Sequence, residues 1–225
     1  LVGSEMCIRD SKYADRLFNA SDSAVISGYD YTYYGQAYLG DKQYDNAIKM
    51  FEKALTANKE NAELLNNNKK GLSDAYLGKG DFANAIKYYE DYLVNVQKPS
   101  ATDLAGLGSI YTTMAASQTG EEQKATYLKA DEVYKQLGEK FPANIDFANF
   151  LRARVNSNLD PETKQGLAKP FYEALAKSLS EKASRDDVDN TRLIEAYRYL
   201  GYYYLLQGNK ATADSYWKKV LELDP

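Results

Sequence analysis

The spacing of large and small residues in Ile194–Pro225 constrains the fold more than any other feature of this chain. The large residues of its first half are Tyr197, Leu200 and Tyr204. They recur every three or four positions, as one face of a helix requires. The small residues Gly201 and Ala213 lie where two helices would cross, and Gly208 with Asn209 predicts the turn between them. The stretch therefore predicts a helical hairpin, and a lone hairpin cannot bury its apolar face.

Continued through Trp217, Val220 and Pro225, this pattern resembles the tetratricopeptide repeat, a helical hairpin of about 34 residues. The stretch 159–175 combined with the last repeat is similar to bacterial proteins built of tandem repeats of this kind. The resemblance implies an all-α fold, in which helical hairpins stack into a right-handed α-solenoid.

Earlier copies of the pattern predict one array over residues 12–225. It would contain about five hairpins and a leading half repeat, whose short helix we place at Lys12–Ala20. The proposed boundaries of these units are residues 12–27, 28–61, 62–100, 101–142, 143–185 and 186–225. Ala47 and Ala85 are 38 positions apart, so the second hairpin has about one extra helical turn. We expect Ala62–Leu65 to lengthen its first helix.

The fourth repeat is degenerate, and its register stays open. Either Arg152 or Ala153 could occupy the small-residue position of its first helix. The pair Asp160–Pro161 predicts a helix N-cap followed by proline at the first helical position. We expect a short turn there, then a helix near residues 168–182 and a charged linker over residues 183–190.

The first eleven residues, LVGSEMCIRDS, fit no repeat position and no signal peptide. They resemble the in-frame translation of a transposase adapter used in preparing sequencing libraries. We therefore expect Leu1–Ser11 to be non-native, with a frayed native N-terminus as the alternative.

Composition argues against catalysis and against nucleic-acid binding. The chain has no histidine, which removes the commonest general base and metal ligand, and its net charge is −4. The acidic pairs Glu121–Glu122 and Asp186–Asp187 lie in segments that we predict to be polar connections, without a neighbouring His or Cys. We expect no enzyme activity, no cofactor, no metal and no transmembrane segment.

The aromatic stripes Tyr31/Tyr34/Tyr38 and Tyr197/Tyr204/Trp217 fall on packing positions of the repeat, so core packing is favoured over a ligand box. In the family, the first helices line a concave groove that binds peptides. The positions that the resemblance assigns to this groove are Tyr29, Thr32, Gln36, Asn67, Lys70, Asp74, Ser109, Thr112, Arg198, Tyr202 and Leu205. Ordinary solvated residues are the alternative interpretation of each position.

The resulting hypothesis is a non-catalytic scaffold that binds a protein or peptide in the groove of its repeats. The alternatives are a docking portion of a larger enzyme and a carbohydrate-handling protein of the cell envelope. The basic clamp that some family members use for chaperone tails is absent, since Thr32, Gln36 and Gly71 replace its residues. The resemblance favours a periplasmic or envelope location, with the cytoplasm as the alternative. We also expect weak self-association through an uncapped C-terminal edge at Val220, Leu221 and Leu223.

Overall fold

A computed structural model describes residues 26–57 and 59–224. The predicted segment Leu1–Ser11 and the predicted helix Lys12–Ala20 lie outside the described residues. All regular structure in the described ranges is helical, so the predicted all-α repeat fold is confirmed. Between Pro99 and Ser100 the chain divides into two compact units, which are described separately below.

The N-terminal unit contains two helical hairpins. Its four helices are α1 (Gly28–Gly40), α2 (Tyr44–Ala57), α3 (Ala62–Lys79) and α4 (Phe82–Asn95). The predicted lengthening of α3 is confirmed, because the helix begins at Ala62 and has 18 residues against 13 in α1. Its end is set by Gly80, whose φ of 78° is accessible to glycine at little steric cost.

Side-chain caps explain where these helices start. Ser27 and Asp30 form a capping box at α1, in which each side chain accepts a hydrogen bond from the other residue's backbone N–H. The side chains of Asn61 and Asp81 cap α3 and α4 in the same position. Each cap satisfies one of the backbone donors that a helix leaves unpaired at its first turn.

Phe51 is the centre of the N-terminal core. The ring is fully buried and packs with Tyr38, Leu72 and Ala75 in one hydrophobic cluster. A Cβ added at Gly35 would lie 2.6 Å from this ring, and one added at Gly71 would lie 2.5 Å from it. Because neither position tolerates a side chain without a shift of the ring, the glycines allow both first helices to approach α2.

The C-terminal unit contains three hairpins. Its six helices are α5 (Ala101–Ala116), α6 (Gly120–Lys140), α7 (Ile145–Leu159), α8 (Lys169–Ser180), α9 (Asp187–Leu206) and α10 (Lys210–Leu223). One turn of 3-10 helix, Pro142–Asn144, precedes α7. Ser100 and Asp103 repeat the capping box at α5. The helix predicted near residues 168–182 is confirmed by α8.

Several leucines, together with the rings of Phe150, Tyr172 and Tyr197, fill the core around α7–α10. The fully or almost fully buried members are Leu175, Leu179, Leu193 and Leu200, joined by Val220 from α10. Burial of each leucine contributes about 1.5–3 kcal/mol. Trp217 packs against the same cluster, and a Cβ at Gly201 would lie 2.8 Å from its ring. Gly201 therefore permits the close approach of α9 and α10 that its spacing predicted.

The structure decides between the two alternatives in the fourth repeat. Ala153 is fully buried in the leucine cluster, so it is the small residue on the packing face of α7. Arg152 instead pairs with Asp131 of α6 through two hydrogen bonds of 3.0 and 2.8 Å, and its guanidinium lies 4.3 Å from the centre of the Phe171 ring. An arginine can occupy this site because its charge is paired and its plane is stacked.

The predicted N-cap at Asp160–Pro161 is wrong. Asp160 follows the last residue of α7, and no helix begins at Pro161. Its buried carboxylate accepts hydrogen bonds from the backbone N–H groups of Lys164, Gln165 and Gly166, at 3.1, 2.9 and 2.8 Å. The carboxylate thus organises the loop that leads to α8, because three backbone donors converge on it.

Both acidic pairs lie at helix starts rather than in the connections predicted for them. Glu121 and Glu122 are in the first turn of α6, and Asp186 caps α9 by accepting a 2.7 Å hydrogen bond from the Asp189 N–H. The linker before α9 is consequently shorter than the predicted 183–190. Carboxylates are stabilised at these positions by the positive end of the helix dipole.

Candidate functional site

The groove residues predicted on α1 differ in their accessibility to solvent. Tyr29 is 64% exposed, and its hydroxyl oxygen accepts a 3.2 Å hydrogen bond from the Asn61 amide. Gln36 is exposed as well. Thr32 is buried, and its hydroxyl donates to the Gly28 carbonyl at 3.0 Å. Tyr29 and Gln36 are therefore available at the surface of α1, whereas the Thr32 side chain is directed into the unit.

On α3, Asn67 and Asp74 are exposed and Lys70 is half-buried. The Lys70 ammonium lies 5.2 Å from the centre of the Tyr92 ring. Desolvation by surrounding protein atoms raises the pKa of Asp74, although Lys70 one turn away opposes the shift. The Asp74 carboxylate is therefore accessible to solvent but has protein atoms close around it.

The predicted α5 residues form a polar surface with local hydrogen bonds. Ser109 is exposed, and its backbone carbonyl accepts a hydrogen bond from the Thr113 hydroxyl at 2.9 Å. Thr112 is half-buried; its hydroxyl donates to the Gly108 carbonyl at 2.9 Å and lies 3.4 Å from the Tyr134 hydroxyl. These side chains could contribute hydrogen bonds to a ligand, but little apolar contact.

Helix α9 carries the most apolar of the predicted surfaces. Tyr202, Leu205 and Leu206 are 44%, 46% and 45% exposed, and Arg198 lies one turn before them. The Arg198 guanidinium pairs with the exposed Asp224 carboxylate at 3.1 Å. Pairs of this exposed kind contribute about 0–1 kcal/mol, so a ligand can compete for Arg198 at little cost.

Sequence reasoning missed the contribution of α7 to this surface. Arg154 of α7 donates two hydrogen bonds, of 2.9 and 2.6 Å, to the Glu195 carboxylate of α9, and the Tyr172 hydroxyl donates a third at 2.8 Å. Burial opposes ionisation of Glu195, but these hydrogen bonds outweigh it and lower its pKa. Burial and the nearby Glu195 charge together raise the pKa of Tyr172. The network holds α7 and α9 in a fixed relation.

An open groove between α7 and α9 has a volume of about 320 Å³. Its lining residues are Phe150, Arg154, Asp187, Val188, Thr191 and Arg192. The repeated spacing of four, at Phe150 and Arg154 and again at Val188 and Arg192, is the signal that could have identified them. Without a fixed register for the fourth repeat, that spacing could not be assigned to a face.

Among the described residues, no group of acidic, histidine or cysteine side chains is arranged to hold a metal ion. No helix in residues 26–57 or 59–224 is long and apolar enough to cross a membrane.

Comparison with known proteins gives matches to family models and to solved structures. Family models described as tetratricopeptide repeat match residues 31–61, 71–93 and 195–225. No curated protein matches the chain.

Solved structures with a similar fold include the MamA protein, at 21% identity and a TM-score of 0.59, over 88% of this chain and 91% of that one. BtubC from P. vanneervenii is 17% identical with a TM-score of 0.54, over 98% of this chain and 89% of that one. The TPR-like repeats of a putative kinesin light chain from Podosopora anserina are 11% identical with a TM-score of 0.53, over 87% of this chain and 93% of that one.

Proposed function

Because this chain is a tetratricopeptide-repeat protein, a fold that supports protein–protein interaction, we propose that it is a non-catalytic scaffold for a protein or peptide partner. In each of the two units, the partner-binding surface is the exposed face of the first helices of the hairpins. The residues assigned to this face are those predicted on α1, α3, α5 and α9, apart from the buried Thr32.

The observation that carries this proposal is the stripe of Tyr202, Leu205 and Leu206 on α9. Leu205 and Leu206 lie three and four positions after Tyr202, so both neighbour it on the helix surface. Each of the three side chains exposes more than two fifths of its surface. Contiguous exposed apolar side chains next to an arginine are typical of protein interfaces. Aromatic and arginine side chains supply a large share of the binding energy at such surfaces.

Four further predictions belong to this proposal. The chain forms one array over residues 12–225, and residues 1–11 are non-native. Its partners are proteins rather than nucleic acids. Weak self-association involves the C-terminal edge, where Leu221 is 64% exposed and Leu223 half-buried, whereas Val220 is covered by the unit's own core.

Site-specific photocrosslinking tests the binding face. A photoreactive aromatic amino acid replaces Tyr202 in one variant and Ser215, an exposed residue of α10, in a matched control. We expect partner proteins from the source cells to crosslink at position 202 and not at position 215. Equal or stronger crosslinking at position 215 would place the interface on the second helices.

A quantitative test follows once a crosslinked partner has been purified. We expect Tyr202→Ala combined with Leu205→Ser to weaken its binding by roughly tenfold or more, since such side chains dominate interfaces. Unchanged affinity in a variant with an unchanged melting temperature would contradict the assignment of this stripe.

A further inference from the structure

The groove between α7 and α9 lies at the N-terminal end of α9, and Tyr202 and Leu205 lie on the same helix face near its C-terminal end. Val188, Thr191 and Arg198 follow each other along this face at helical spacing. The groove is therefore continuous with the apolar stripe and can receive a neighbouring part of one bound chain. Its own lining differs from the stripe, because it combines an aromatic ring, an aliphatic side chain and two guanidinium groups.

Arg192 is the cation in this groove that has no carboxylate partner among residues 26–57 and 59–224. Its guanidinium lies 5.2 Å from the centre of the Phe147 ring and 5.1 Å from that of Phe150. Two rings hold the charged group in place without consuming its N–H donors. A guanidinium presented in this way can bind a planar acceptor such as a carboxylate with two parallel hydrogen bonds.

The neighbouring arginine is committed to the protein. Arg154 donates both of its described hydrogen bonds to Glu195, and this ion pair raises the pKa of Arg154. Arg192 is thus left as the anchor for a negative group. The 54% exposed Val188 supplies an apolar surface beside it, whereas the Phe150 ring is only 9% exposed and lies against the guanidinium groups of Arg154 and Arg192. Asp187 lies at the edge of the groove, and its negative charge acts against an anionic ligand.

We propose that the groove binds an acidic peptide segment, with a carboxylate side chain on Arg192 and an adjacent aliphatic side chain against Val188. This inference rests on the proposed scaffold function and names the chemistry of its ligand. Charge complementarity selects the acidic residue, and the apolar lining selects the residue beside it.

Fluorescence anisotropy with defined peptides tests the inference. The probe is a short fluorescein-labelled peptide in which two glutamates flank a leucine, and its twin carries glutamine in place of both glutamates. We expect the full chain to bind the acidic probe and to bind the twin roughly five- to tenfold more weakly. Arg192→Gln should remove this preference, whereas Lys218→Gln, the same charge change on the exposed side of α10, should leave it intact.

Two further variants make the test specific. Asp187→Asn should tighten binding of the acidic probe, because it removes the opposing charge at the groove edge. Arg192→Lys should give intermediate affinity, since the charge remains but the planar donor pair is lost. The acidic probe and its twin are compared on the unmodified chain, so the result does not depend on the folding of any variant.

Three results would overturn the inference. They are equal binding of the probe and its glutamine twin, an unchanged preference in Arg192→Gln, and tighter binding of a single-stranded oligonucleotide than of the acidic peptide. If any of them occurred while partners still crosslinked at position 202, the scaffold function would stand and only the ligand class would be wrong. Loss of crosslinking at position 202 would instead contradict the scaffold function itself.

Discussion

The two units solve the same packing problem by different means. In the N-terminal unit, one buried ring, Phe51, fills the space between two first helices that approach it at Gly35 and Gly71. In the C-terminal unit, several leucines and aromatic rings share the core, and a polar network adds contacts between α6, α7, α8 and α9. The regular N-terminal repeats pack around one central ring, whereas the degenerate fourth repeat also has charged and polar pairs that join its helices to their neighbours.

We expect the largest loss of stability from a substitution at the centre of the N-terminal core. Phe51→Ala removes the ring from a site that cannot collapse easily, because two helices and two glycines surround it. We expect a loss of about 3–5 kcal/mol in the free energy of unfolding, measured by chemical denaturation. Phe51→Leu serves as the control and should cost less. Equal losses in the two variants would contradict the role of the ring.

The corresponding change in the C-terminal core is Leu200→Ala. Leu200 is fully buried, and its truncation should cost about 2–5 kcal/mol by opening a cavity. Leu206→Ala, at a 45% exposed position of the same helix, should change stability by less than about 0.5 kcal/mol. Similar effects of both substitutions would mean that the orientation of α9 is wrong.

A substitution in the loop before α8 tests how much a polar contact stabilises the C-terminal unit. Asp160→Asn replaces with a neutral amide the carboxylate that accepts three backbone hydrogen bonds. We expect the free energy of unfolding to fall by about 1–3 kcal/mol, measured by thermal or chemical denaturation. Glu162→Gln changes an exposed acidic residue of the same loop and is the matched control. A loss confined to Glu162→Gln would show that Asp160 does not organise the loop.

How much of this could be predicted from the sequence depends on the range of the interactions. The longer α3 was predictable because four added residues make about one helical turn and leave the apolar face in place. Asp160 was misinterpreted because an Asp–Pro pair also fits a helix start, and the three donors that surround it depend on the path of the loop. Arg154 and Glu195 are 41 positions apart, and no local pattern indicates such a pair.

The smallest expected effect concerns pH. The pKa of Glu195 is lowered from its ordinary value of 4.5 because the hydrogen bonds from Arg154 and Tyr172 outweigh burial. A lowered pKa contributes stability that is fully present above the unfolded value and is lost as the pH falls through the folded one. The stability difference between the unmodified chain and Glu195→Gln should therefore shrink below pH 4.5. Denaturation curves at pH 7 and at pH 3.5 measure it, and a constant difference would contradict the network.

The central claim is that partners bind the first helices, and amide hydrogen exchange with a crosslink-identified partner tests it most directly. We predict that the partner slows exchange on the accessible faces of α5, α7 and α9, with the strongest effect in the last two turns of α9 around Tyr202 and Leu205. Exchange in α6, α8 and α10 should change little. Protection confined to those second helices, with α9 unaffected, would contradict the account.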